Sequence, residues 1–201
     1  TETPTAEVSR GYSNAAFQTM REKLTALRQQ YPSMAEGFSG VAGYHEVGNT
    51  AYVTLDNFQY TKADYYGAPE ADASTLDTCA QIIQAHRQIT RENSPVENVV
   101  LDLSCNVGGH AAAAVYVLCW FLGDAQLSVK DSFSGAETTT VFRADINLDR
   151  EFDEQDTLAG RGLNLYCLIS PVSFSCGNLV PGAFKMDGNV KLLGSKSRGG
   201  L

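Results

Sequence analysis

Four consecutive runs near the carboxyl end leave this chain little choice of architecture. YCLIS (166–170) is short and apolar, SFSCGN (173–178) supplies turn and capping residues, LVPGAF (179–184) has the composition of a packed helical turn, and NVKLLG (189–194) is strand-like again. NVVLDLSCNVGGH (98–110) has the same grammar: a buried strand, a glycine pair, and then the apolar helix AAAAVYVLCWFL (111–122). Strands alternating with helices in this way specify an α/β layer structure with parallel strands.

Upstream, Phe17, Met20, Leu24, Leu27 and Tyr31 recur at three- and four-residue intervals. They form one apolar stripe of a helix that Pro32 closes, either core or docking surface. Residues 33–48 are glycine-rich and read as a linker carrying His45, leading into a strand over 50–58. A second helix is expected over 73–91, with His86 on its face as a solvent or boundary histidine. The stretch 61–74 between them has no periodicity and reads as a surface loop. With 201 residues and 43% apolar content the chain can bury one substantial core. Its net charge of −8 carries no basic footprint for nucleic acid and disfavours anionic membrane surfaces. Five cysteines in mostly apolar surroundings, with no C-x-x-C or Cys/His metal spacing, read as mainly free thiols.

Two features could carry chemistry. Ser175 stands between the strand and the helix, where a tight turn lifts a side chain out of a sheet and helix amides face any charge that forms there. The competing reading is an ordinary serine N-cap. The glycine pair Gly108-Gly109 lets backbone approach a ligand closely, and amides at a helix start bind oxyanions.

Together these segments resemble the carboxyl-terminal processing (tail-specific) serine peptidases and the core of the tricorn protease. Those proteins carry an LDLRGNPGG-like strand and loop, a Ser-x-Ser turn and a Gly-x-x-Thr-x-Gly loop. The corresponding runs here are LDLSCNVGG (101–109), SFSCGN (173–178) and GSKSRGG (194–200), and NTAYVTLDNF (49–58) is similar to the family's first catalytic-domain strand. The resemblance implies a crotonase-like fold of ββα units over 49–201, preceded by a helical extension over 1–48. It also implies a serine endopeptidase that needs no cofactor, acts on protein or peptide substrates, and works outside the cytoplasm after a leader is removed. A homo-oligomer stays open. The family continues into further strands, so the expectation is a catalytic domain incomplete at its C-terminal end.

In the family's register Ser175 is the nucleophile and Ser173 its neighbour. The oxyanion hole falls to the amides of Gly108 or Gly109 together with Cys176. The general base is missing from both of the family's usual places: Gly200 stands where the processing peptidases have lysine, and Thr54 where the tricorn branch has histidine. An unactivated serine is a poor nucleophile. Lys196 is a substitute if desolvation lowers its pKa, and His110, beside the glycine pair, is another. Cys176 is an alternative nucleophile through a thiolate. If no base is supplied, the chain is a non-catalytic relative that binds peptides or a small ligand in the same cleft.

DINLDREFDEQD places oxygen-bearing side chains at Asp145, Asn147, Asp149, Glu151, Asp153 and Asp156, close to the alternation of a calcium loop. Arg150 stands where that pattern asks for glycine and Asp156 where it asks for glutamate. The same residues also suit a plain acidic turn.

Overall fold

The structure is a computed structural model, and it describes residues 14–29, 43–62, 64–67 and 77–200. In chain order the elements are α1 (Asn14–Gln29), β1 (Tyr44–Val47), β2 (Thr50–Thr54), α2 (Thr78–Ile89), β3 (Asn98–Asp102), α3 (Ala111–Leu122), β4 (Ala125–Lys130), β5 (Glu137–Phe142), β6 (Asn164–Ile169), α4 (Cys176–Asp187) and β7 (Val190–Gly194). A 3₁₀ turn, Glu154–Asp156, precedes β6. Five strands form one sheet in the order β1-β2-β3-β6-β7. Within this sheet, among the described residues, only the β1–β2 pairing is antiparallel; the β2, β3, β6 and β7 neighbours run parallel, and β4 and β5 form a separate antiparallel pair.

Strand register explains which face the helices cover. Alternate residues share a face, and the set containing Tyr44, Ala51, Val53, Val99, Leu101, Leu165, Cys167 and Val190 lies in one buried cluster with residues of α2, α3 and α4. At the centre of that cluster is α3. Its apolar run leaves Val117, Leu118, Cys119, Trp120 and Phe121 all buried, as a helix hydrophobic around most of its circumference must be. The opposite face carries the rung His45, Tyr52, Val100, Tyr166 and Lys191. Asp102 is on that face too, and α1 reaches it there through Arg28.

Several expectations from the sequence shift. The strand expected over 50–58 stops at Thr54, and Phe58 instead bridges to Gly109. α2 begins at Thr78, because the Asp77 carboxylate accepts from Ala80 N and caps it; residues 73–76 of the expected span lie outside the described residues. His45 belongs to β1 rather than to a linker, with its ring stacked on Tyr52 at 5.0 Å. The α1 stripe is only half covered: Leu27 is 47% exposed, while Phe17, Met20 and Leu24 are half-buried. Tyr31 and Pro32 lie outside the described residues. The β4–β5 hairpin has no counterpart in the sequence reading. Among the described residues no helix is long and apolar enough to cross a membrane.

His86 is the clearest correction, being buried to 2% exposure. The buried Trp120 indole N–H needs an acceptor and donates to His86 Nδ1 at 3.0 Å. Burial, with Arg161 adding to it, pushes the His86 pKa down to about 4. A histidine whose folded pKa lies below its unfolded value stabilises the fold fully above about pH 6.5 and loses that contribution as pH falls toward 4. Between pH 7.5 and 4.5 the wild type should therefore lose about 2–3 kcal/mol more than His86→Gln, which keeps an acceptor for Trp120 but cannot titrate. Urea unfolding of both proteins at the two pH values measures this. Equal losses would show that His86 does not titrate in this window.

Candidate active site

The loop after β3 and the turn after β6 meet above the ends of their parallel strands. Asn106 joins them. It is fully buried; its Nδ2 donates to Leu55 O at 2.8 Å, its Oδ1 accepts from Gly108 N at 2.8 Å, and its carbonyl accepts from Phe174 N at 3.0 Å. One residue thus ties the end of β2, the glycine loop and the serine turn together, the first two through its side chain and the third through its carbonyl. A Cβ on Gly177 would stand 2.7 Å from Asn106 Oδ1, so the first turn of α4 can approach this closely only with glycine there.

The serine turn is braced by hydroxyls. Ser173, fully buried, donates from Oγ to Leu103 O at 2.8 Å and accepts from Ser170 N at 3.0 Å. Ser170 Oγ donates to Ser104 O and accepts from Val172 N. Ser173 is therefore occupied with holding the turn. Ser175 is different. It sits at the N-cap position of α4, yet its side chain makes no capping bond. Its backbone has φ 55° and ψ −122°, a region that side-chain-bearing residues rarely occupy and that costs about 1–3 kcal/mol. Its N–H donates to Gly199 O at 2.9 Å. The N-cap explanation for this serine fails, because the hydroxyl makes no capping bond.

Gly108 lies directly beneath it. A Cβ there would meet Ser175 Cβ at 2.7 Å, and one on Gly109 would meet Phe58 O at 2.2 Å. Both residues have positive φ, 101° and 138°. The amides separate into two kinds. Gly108 N–H is consumed by Asn106, which corrects its inclusion among the oxyanion donors. Among the described residues Gly109 N–H and Cys176 N–H donate to no protein oxygen; both reach the Cys176 sulfur, and Cys176 Sγ donates to Gly109 O at 3.3 Å. Burial pushes the Cys176 thiol pKa up, the wrong direction for a thiolate nucleophile. All five cysteines are free and buried.

The two substitute bases sit less favourably. Lys196 is exposed and borders a groove with Asn178, Pro181, Lys185 and Leu192, so the desolvation that would make it a base is missing. His110 caps α3: its Nδ1 accepts from Ala112 N at 3.2 Å, and its ring packs against Tyr60 at 5.1 Å. A neutral ring accepting at Nδ1 carries its proton on Nε2 and presents a donor there. At Gly200 a Cβ would fall 2.0 Å from Phe174 Cε2, so the phenyl ring closes the place of the family's lysine. Thr54 is half-buried, its N–H bonded to Gly43 O.

A clamp that the sequence reading missed lies under the loop. Arg28 of α1 contacts Asp102 Oδ2 through Nε at 2.9 Å, donates from Nη1 to Asp56 Oδ1 at 2.7 Å and from Nη2 to Ser104 Oγ at 3.1 Å. Burial opposes the Arg28 charge, and Asp102 and Asp56 more than offset this, so the guanidinium stays protonated. Farther along α1, the Phe17 ring lies 4.4 Å from the guanidinium carbon of Arg198, in the loop after β7.

The acidic segment 145–156 turns its oxygens largely onto its own amides. Asp145 Oδ2 accepts from Arg150 N and Tyr66 Oη, and Asp156 Oδ1 accepts from Ile146 N and Asn147 N. Asp149 Oδ1 accepts from Glu151 N, and Asp153 caps the 3₁₀ turn. Among the described residues no three carboxylates, imidazoles or thiols already converge as a metal set.

The family model described as "Peptidase family S41" matches residues 49–201. Among solved structures, the photosystem II D1 C-terminal processing protease superposes with a TM-score of 0.54 at 21% identity, over 80% of this chain and 35% of that one. A lipoprotein from Streptococcus agalactiae superposes with a TM-score of 0.52 at 18% identity, over 88% of this chain and 55% of that one. The chain thus spans about a third to about half of these structures, and at such identities the likeness is one of fold. No curated protein matches the chain.

Proposed function

Because the chain belongs to peptidase family S41, we propose that it hydrolyses peptide bonds of protein substrates through a serine acyl-enzyme, with Ser175 as nucleophile. The observation that carries this reading is the strained Ser175 at the start of α4, its hydroxyl free of any capping bond. Its Oγ would attack the scissile carbonyl, and the oxyanion would be met by the amides of Gly109 and Cys176, which among the described residues donate to no protein oxygen. Losing one such donor typically costs about 10²–10³ in rate. Departure of the amine leaves an ester on Ser175, and water attacking that ester releases the second product.

The proton of Ser175 needs an acceptor, and Lys196 and His110 are the two groups proposed. For His110 to serve, the ring must release Ala112 N so that Nε2 is free to accept. For Lys196, substrate must cover an amine that is now exposed. Comparison of pH–rate profiles for Lys196→Ala and His110→Ala identifies the acceptor, since its removal deletes one limb of the profile.

We read residues 49–201 as the catalytic domain, its ββα succession as the crotonase-like spiral, and residues 1–48 as an extension. The proposed setting is extracytoplasmic, a placement supported by the lipoprotein among the structural neighbours. A protein or peptide is the proposed partner rather than a nucleic acid, in keeping with the net charge of −8. A homo-oligomer is compatible with this reading.

One observation favours a second reading, a relative that binds peptides in the same cleft without cleaving them: the lysine place at Gly200 is closed by Phe174. Digestion of an unfolded protein, with new termini identified by mass spectrometry, separates the two. Cleavage by the wild type and none by Ser175→Ala supports the peptidase. Retention of the peptide with no cleavage by either protein supports the binder.

A further inference from the structure

We infer that residues 145–156 form a binding site for a calcium-sized divalent cation, independent of the serine centre. Such a loop is 12 residues long; it takes side-chain oxygens from positions 1, 3, 5, 9 and 12 and a main-chain carbonyl from position 7. Here those positions are Asp145, Asn147, Asp149, Asp153 and Asp156, with the Glu151 carbonyl at the seventh.

The group that calls for a ligand is Asp145. Its side chain lies in a residue only 7% exposed, and its Oδ1 is shielded from water with no hydrogen-bond partner. Its other oxygen, Oδ2, accepts from Arg150 N across the loop and from Tyr66 Oη, which holds the carboxylate inward. A buried carboxylate oxygen without a donor is costly, and a cation is the partner that satisfies it best. The remaining carboxylates keep capacity for an ion. A carboxylate has about four lone-pair sites, so oxygens that already accept from loop amides can still coordinate.

Arg150 does not obstruct the turn. It takes the left-handed conformation, φ 72°, that glycine usually provides at the sixth position. Its guanidinium lies 5.0 Å from the Tyr66 ring centroid, so its charge is partly engaged by that ring. The donors are all oxygens, which suits a hard cation. The loop has no imidazole or thiol for a softer metal. Binding draws the Asp149 and Asp156 carboxylates toward Asp145, since these groups do not converge beforehand.

The test is calorimetric titration of the chelator-treated protein with calcium chloride, paired with thermal unfolding in excess chelator and in about 5 mM calcium, a concentration above the weakest affinities of such loops. Binding of one ion per chain is expected, with a rise in Tm of about 5 °C and a smaller response to magnesium. Asp145→Asn should abolish the rise. Asp149→Ala, at an exposed position that leaves the fold intact, should weaken calcium at least about tenfold, and it decides the matter if Asp145→Asn does not fold. Absence of calcium binding by the wild type overturns the inference. So does an Asp149→Ala protein that binds calcium as tightly as the wild type.

Discussion

Ser175→Ala is expected to lower kcat/KM for cleavage of an unfolded protein by at least about 10⁴-fold while leaving the unfolding midpoint nearly unchanged. The size of the loss follows from the role. Without the hydroxyl no acyl-enzyme forms, and only substrate binding and the amides of Gly109 and Cys176 remain. Stability is spared because the side chain makes no capping bond that alanine would lose. Ser175→Gly sharpens the experiment. Glycine accepts φ 55° without penalty, so this variant should be equally inactive and about 1 kcal/mol more stable than the wild type. Higher stability with lost activity would show that backbone strain is held at this position for its geometry. Proteolysis that survives in Ser175→Ala would remove Ser175 as nucleophile.

Arg28→Ala should destabilise the fold by about 3 kcal/mol. Asp102 keeps a side chain only 9% exposed, and loss of its cation leaves a buried carboxylate whose one remaining hydrogen bond comes from Ser104 N. The damage should reach the site. Asp56, which Arg28 holds, accepts Val107 N through its carbonyl, and Ser104, also held by Arg28, accepts Ser170 Oγ through its carbonyl. Release of the clamp should therefore slacken the glycine loop and the serine turn together, lowering kcat even at temperatures where the variant stays folded. Arg28→Met combined with Asp102→Asn should lose less stability than Arg28→Met alone, because the unpaired charge is gone. Chemical denaturation of the single and double variants measures the difference. An Arg28→Ala protein as stable as the wild type would mean that α1 does not brace the sheet.

Residue patterns read over short spans matched the structure well. The strands in 98–103, 166–170 and 189–194 were visible as apolar runs, and the helix at Ala111–Leu122 agrees residue for residue. Spacing of two, three or four residues carries that information, because it reports which side chains share a face. His86 shows where this stops. Its neighbours suggested a boundary position, and only Trp120, 34 residues away, explains why it is buried. Arg28 was one more polar residue in a helix until Ser104, 76 residues on, and Asp102 beside it defined its place.

The sequence by itself determined β2, β3, α3, β6, α4 and β7, their parallel α/β layering, and the position of Ser175 between a strand and a helix, since each depends on local periodicity and turn chemistry; it did not show β1 or the β4–β5 hairpin. The tertiary structure alone decided how the atoms of the site are assigned. It spends the Gly108 amide on Asn106 while giving that of Gly109 to no oxygen of the described residues, releases the Ser175 hydroxyl from capping, and sets the Phe174 ring where a lysine at Gly200 would stand. Those outcomes depend on distances of about 3 Å between segments far apart in the chain, and hydrogen bonding and steric exclusion act only once the sheet has brought the segments together.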